Sequence, residues 1–176
     1  MKKTEQIVNL GEIKLAKKGV LTCYGLGSCV AVALYDPNTG IGGLCHIVLP
    51  RDAKFSIIKE NKEVYLASIE MLGSPAKFAD SGLIILLNKL ERSGAKPDAM
   101  QAKITGGARL LPQLSRNSTN LDVGKENVEA VEKQLEELKI PIVARDVGGN
   151  TGRTIRFHLV DGTVEIRRLG LGKIVI

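Results

Sequence analysis

The sequence predicts an α/β or α+β protein whose sheet is mixed. Three observations lead there. Short apolar runs bounded by Gly, Pro and Asp/Asn turns recur along the chain. About three stretches have helical periodicity. Two pairs of apolar runs are joined by loops too short for a parallel crossover, which excludes a purely parallel sheet. At 176 residues the chain fits one domain, taken here as residues 1–176.

In chain order, Gln6 to Leu15 reads as short strands broken at Gly11, and Val20 to Tyr24 as a third. Gly25-Leu26-Gly27-Ser28 is a tight turn. Cys29 to Tyr35 is almost wholly apolar, as a strand covered on both faces would be. Asp36-Pro37-Asn38-Thr39 is turn chemistry, and Gly42 to Leu49, closed by Pro50, is the returning strand. Arg51 to Ser74 holds a loop and a helix around Lys62 to Leu72. Pro75 opens a helix from about Ala76 to Ser93, with Gly94 as its stop. Met100 to Ile104 is a strand running into Thr105-Gly106-Gly107-Ala108, and Ser115 to Asn120 a polar loop. Lys125 to Lys139 is a helix with Val128, Val131, Leu135 and Leu138 on one stripe. Ile140 to Val147 is a strand, followed by the glycine-rich turn 148–152. A hairpin, Thr154–Leu159 with Thr163–Leu169, closes the chain around Asp161-Gly162.

Composition removes several functions. Aromatics are 3% and Trp is absent, so a base-stacking nucleic-acid surface is excluded. The N-terminus carries no apolar leader core, and no stretch approaches the ~18–20 apolar residues of a membrane span. The expected location is the cytoplasm, with reduced thiols. Lys and Arg number 25 against 19 Asp and Glu, a net charge of +6 that favours acidic partners.

The chemistry-bearing residues are few: His46, His158, Cys23, Cys29 and Cys45. If Tyr35 pairs with Gly40 across the loop 36–39, Cys29 falls directly opposite His46, with Cβ atoms about 4.5–5.5 Å apart. A neighbouring imidazolium lowers a thiol's pKa and supplies the thiolate nucleophile. The turn before Cys29, with Gly27 and Ser28, exposes amides suited to an oxyanion. The competing reading is that Cys29 is core, as an apolar-strand cysteine usually is. A one-residue shift of the loop would also turn His46 to the other face. Cys45 alternates with His46 and reads as core. A metal site of Cys23, Cys29, Cys45 and His46 matches no zinc spacing, so no metal or cofactor is expected. His158 reads as a half-exposed strand residue. Gly25 to Val30 lacks the third glycine of a dinucleotide fingerprint, and Thr105 to Ala108 lacks the Lys of a phosphate loop. Gly106 and Gly107 are taken as close-approach glycines lining the site. Asp146 and Arg153 form a surface ion pair in the simplest reading, and position substrate in the sharper one.

These residues resemble a known family. Gly25-Leu26-Gly27-Ser28-Cys29-Val30 followed by His46-Ile47-Val48-Leu49-Pro50 is similar to the chemoreceptor glutamine deamidases (CheD). So are Lys77-Phe78-Ala79-Asp80, Lys103 to Ala108, Val123-Gly124 with Asn127-Val128, and Asp146 to Asn150 with Gly152-Arg153. The resemblance implies a sandwich of mixed sheets flanked by helices, like bacterial deamidating toxins. It implies a protein-glutamine glutaminase that converts glutamines of methyl-accepting chemotaxis receptors to glutamate and releases ammonia, with methylesterase activity at the same sites. Cys29 matches the family's nucleophile and His46 its base. A CheC-type response-regulator phosphatase is the implied partner. The family's third catalytic residue, a threonine, falls here on Cys23, with Thr22 one residue away on the opposite strand face. The third role then falls to main-chain carbonyls, or activity is reduced. The alternative is a non-catalytic adaptor that regulates the phosphatase.

Overall fold

The computed structural model describes residues 4–58, 60–110, 122–168 and 170–176. The polar loop expected at Ser115–Asn120 lies outside these residues. Among the described residues, ten strands form two five-stranded sheets. The outer sheet has the order β1 (Glu5–Ile7), β3 (Val20–Leu26), β8 (Arg153–His158), β9 (Val164–Arg168), β10 (Gly172–Val175). The central sheet has the order β2 (Ile13–Ala16), β5 (Ile41–Ile47), β4 (Val30–Asp36), β6 (Gln101–Gly106), β7 (Ile142–Val147). Both are mixed: β1 runs parallel to β3 and β6 to β7, and the other pairs are antiparallel. Four α-helices complete the fold: α1 (Ala53–Ile57), α2 (Lys62–Met71), α3 (Ala79–Arg92) and α4 (Val123–Glu137).

Strand alternation sorts the side chains into two cores. Val30, Val32 and Leu34 of β4 meet Leu83, Leu86 and Leu90 of α3 and Val131 and Leu135 of α4. Ala31 and Ala33 face the other way, onto Leu21, Cys23, Ile155, Phe157 and Ile166 of the outer sheet. The layers are therefore helices, central sheet, outer sheet. This is the expected α+β sandwich, and β4 is apolar throughout because both of its faces are covered.

Some boundaries differ from the sequence reading for local reasons. Helix α3 begins at Ala79, three residues after the expected start. The Lys77 carbonyl accepts from the amides of Val48 and Leu49, and Phe78 bridges Leu49, which holds 77–78 extended. The Arg51–Ser74 stretch adds α1 to the expected α2. Phe55, Leu66 and Ile85 pack them onto α3, on the helix side of the central sheet. A tenth strand, β10, follows the closing hairpin and covers the edge of β9.

The hairpin that carries the site pairs differently from the expectation. Asp36 faces Ile41 and Tyr35 faces Gly42, so the loop is 37–40. The Asp36 carboxylate accepts from the amides of Asn38 and Thr39, the Thr39 hydroxyl and the Lys96 amide. Its carbonyl accepts from Gly40, which holds the left-handed φ of 68° that closes the turn. These bonds make Asp36 the last strand residue rather than the first loop residue.

Candidate active site

That displacement places Ala31, not Cys29, directly opposite His46. Cys29 is the residue just before β4, two positions further along. The facing pair moves by two residues, so the alternation is preserved. Cys29 packs against the inter-sheet core. His46 shares a face with Leu44, which belongs to that core, and its ring reaches the carbonyl of Val8, another member. Thiol and imidazole therefore sit on one face as diagonal neighbours, at a spacing of about 7–8 Å between their backbone positions, with no hydrogen bond from Nε2 to the sulfur. Cys45 is buried among the residues facing the helices.

Position along the chain explains the accessibility of Cys29. Residues 27–29 carry the backbone from the outer sheet into the central one. Cys29 is accordingly half-buried at the rim of the inter-sheet core, while Cys23 and Cys45 are fully buried.

The imidazole is held by backbone. Its Nδ1 lies 3.5 Å from the Val8 carbonyl, which can only accept, so Nδ1 carries the proton. Val8 is itself fixed by its amide, which donates to the Thr22 carbonyl at 2.8 Å. Nε2 is buried without a partner among the described residues. A main-chain carbonyl thus lies at the imidazole, in line with the first of the two alternatives for the third role. Cys23 does face the inter-sheet core, but burial raises its thiol far above the ordinary range. The Thr22 hydroxyl points to the other face, where it donates to Glu5 at 2.8 Å.

Desolvation also corrects the expected thiolate–imidazolium pair. Burial pushes the Cys29 thiol up, opposed by its own amide. Burial pushes His46 down, opposed by the Val8 carbonyl. Both shifts disfavour charge, so at neutral pH the resting pair is a thiol and a neutral imidazole. A neutral imidazole is competent to take the thiol proton as attack proceeds.

The backbone at Cys29 is clamped from two sides. On one, the Gly107 amide donates to the Cys29 carbonyl and the Ala108 amide to the Gly27 carbonyl, both at 2.8 Å. A Cβ at Gly106 would lie 2.1 Å from the Cys29 carbonyl oxygen, which is why glycine stands there. Gly106 and Gly107 thus permit close approach, and the engaged Gly107 amide is not free for an oxyanion. The Ser28 amide has no backbone acceptor among the described residues, and the Cys29 amide meets its own sulfur. On the other side stands Asn127 of α4, which the sequence reading placed in a family motif but gave no role. Its Nδ2 donates to the carbonyls of Ser28 at 2.9 Å and Val48 at 3.0 Å. One amide thereby ties the end of the strand bearing Cys29 to the end of the strand bearing His46. A signal was present: Asn127 occupies the stripe of α4 that buries Gly124, Val131 and Leu135, where an amide needs a specific partner.

Asp146 and Arg153 are buried rather than a surface pair. Arg153 donates to the carbonyls of Asp146 and Gly148 and lies 3.4 Å from the Asp146 carboxylate, which also pairs with Arg168. The guanidinium fixes the glycine turn, whose Gly148 amide donates to Gly106. His158 is half-buried on β8.

A sandwich that presents a half-buried thiol, a same-face imidazole with an unpartnered nitrogen and backbone amides beside the sulfur has the parts of a thiol hydrolase. Comparison with known proteins gives the family. Residues 66–168 match the model described as CheD chemotactic sensory transduction. The probable chemoreceptor glutamine deamidase CheD of Clostridium tetani is 39% identical over 98% of this chain and 96% of its own length. That of Thermococcus kodakarensis is 38% identical over 96% of this chain and 95% of its own. The chain belongs to the CheD family. Among solved structures, Bacillus licheniformis hypothetical protein YfiH aligns with a TM-score of 0.38 at 14% identity, covering 78% of this chain and 49% of that one.

Proposed function

We propose that the chain is a chemoreceptor glutamine deamidase, with Cys29 as nucleophile and His46 as general base and acid. Its near full-length likeness to proteins named for that activity carries the reading. The placement of Cys29 and His46 on one face supports the two roles.

His46 Nε2 takes the Cys29 proton as sulfur attacks the side-chain carboxamide carbon of a receptor glutamine. The Ser28 and Cys29 amides hold the developing oxyanion. The imidazolium then protonates the departing amide nitrogen, and ammonia leaves with a thioester behind. Neutral His46 next draws a proton from water, hydroxide adds to the thioester carbon, and the carbon–sulfur bond breaks. Glutamate is released and the thiol regains its proton. Overall, one amide and one water give one carboxylate and one ammonium ion, the proton of the new carboxylic acid passing to the ammonia. The same attack on a receptor glutamyl methyl ester would expel methanol. Residues 1–176 form one deamidase domain in this reading. It works in the cytoplasm, where receptor signalling segments and a CheC-type phosphatase partner would be met. No helix among the described residues is long and apolar enough to cross a membrane.

Mass spectrometry of receptor fragments tests the assignment. Wild type is expected to convert amide to acid at discrete glutamines, and Cys29→Ala to leave the fragments unchanged. Equal conversion by Cys29→Ala would refute the nucleophile.

A further inference from the structure

A groove of about 780 Å³ opens where the outer sheet meets the turn leading to Cys29. Its wall includes Gly25, Thr151, Arg153, Arg167, Arg168 and Lys173. Two pairs of cations stand directly opposite each other across these strands: Arg153 faces Arg168, and Arg167 faces Lys173. Directly opposed like charges destabilise a sheet. The first pair is reconciled by Asp146, which contacts both arginines. The second has no such acid. Glu165 takes Lys173 at 3.2 Å, and exposed Arg167 has no ionic partner among the described residues. The groove thus holds four cations against two carboxylates, with the excess charge on its solvent side.

Gly25 is four residues before Cys29, so this end of the wall lies within about 14 Å of the Cys29 backbone, at the end of the outer sheet where β3 leaves it and β8 begins. An extended or helical segment presenting a glutamine to Cys29 would place its neighbouring side chains there.

We propose that the groove is a subsite for carboxylate side chains flanking the target glutamine, read by Arg167 and Lys173. The inference rests on the deamidase reading for its substrate and on charge complementarity for its specificity. It makes acidic flanks a selection rule that the Cys29–His46 pair alone does not impose.

The test uses the full chain carrying Cys29→Ala, so that no turnover occurs. Two fluorescein-labelled helical peptides are compared by anisotropy. Each has one Gln; one carries Glu within about two helical turns on either side, the other Ala at those positions. The Glu peptide is expected to bind about three- to tenfold more tightly at low salt, with the advantage shrinking as ionic strength rises. Adding Arg167→Gln and Lys173→Gln should erase the difference with little change in thermal stability, since relief of the Arg167–Lys173 repulsion offsets the lost exposed Glu165–Lys173 pair. Equal affinity for the two peptides, absence of binding by both, or a Glu preference that survives the double variant would overturn the subsite. Deamidation of receptor fragments by the unaltered protein is measured separately. Its absence, with the Glu preference intact, would sink the deamidase reading and leave an acidic-peptide site.

Discussion

Asn127 carries more of the site than its distance from the chemistry suggests. Its side chain satisfies two carbonyls that belong to different strand ends, so removing it affects geometry and stability together. Asn127→Ala leaves the Ser28 and Val48 carbonyls without that donor, at a cost of about 1–3 kcal/mol in unfolding free energy. Asn127→Asp is the sharper variant, because a carboxylate sets acceptors against acceptors. It should fold less stably than Asn127→Ala and alkylate at Cys29 more slowly with iodoacetamide. An Asn127→Asp protein with unchanged alkylation and turnover would show that the tie does not position the sulfur. The thiol offers its own check. Because burial raises Cys29 and lowers His46, alkylation should climb through the alkaline range with no plateau near pH 6. Deamidation, which needs neutral His46, should persist below the ordinary histidine value of about 6.5 and fall only at more acidic pH. A plateau of alkylation at acidic pH would mean that a thiolate–imidazolium pair exists at rest.

Among the elements, the hairpin of β4 and β5 shows what a sequence can and cannot specify. Period-two alternation placed Cys29 and His46 on one face and Cys45 on the other, because alternation is local. The register was displaced, because it depends on whether Asp36 ends the strand or begins the loop. That is decided partly by the Lys96 amide, 60 residues away. The late start of α3 has the same origin, in bonds from Lys77 to Val48 and Leu49. The Val8 carbonyl beside His46 was legible only as a type of partner, since main chain carries no sequence signature. Gly106, by contrast, was readable as a close-approach position, and its neighbours now give the consequence. Its missing Cβ would meet the backbone of Cys29 and Val30 at 2.1 and 3.0 Å, at a φ of 126°. Backbone cannot swing aside, so Gly106→Ala should cost about 2–5 kcal/mol and abolish deamidation. Gly148 has a positive φ of 74° but open space around it, so Gly148→Ala should cost only about 1 kcal/mol. Equal denaturation midpoints for the two variants would show that the Gly106–Cys29 contact is not tight.

On the scale of the whole molecule, the proposed catalytic base, His46, sits in the interface that joins the two sheets, so in this reading activity and global stability share a titration. His46 is 3% exposed and its folded pKa is depressed, chiefly by burial. In the unfolded chain it titrates near 6.5. Below that value the unfolded state binds a proton that the folded state refuses, and the balance tips toward unfolding. Stability from this group is therefore complete above about pH 6.5 and is lost as pH falls toward the depressed value, with a slope of at most about 1.4 kcal/mol per pH unit. Asp36 acts in a lower window. Burial would raise its carboxyl, but the Lys96, Asn38 and Thr39 bonds outweigh burial and hold it down. Its contribution is present above the ordinary aspartate range and disappears as pH falls through its lowered value. The two windows separate by difference. Denaturant midpoints of wild type and His46→Gln, measured from pH 7.5 to 5, should converge as pH falls, because only wild type carries the refused proton. Parallel curves over that interval would mean that protonated His46 is accommodated between the sheets, and that the acid limb of deamidation comes from another group.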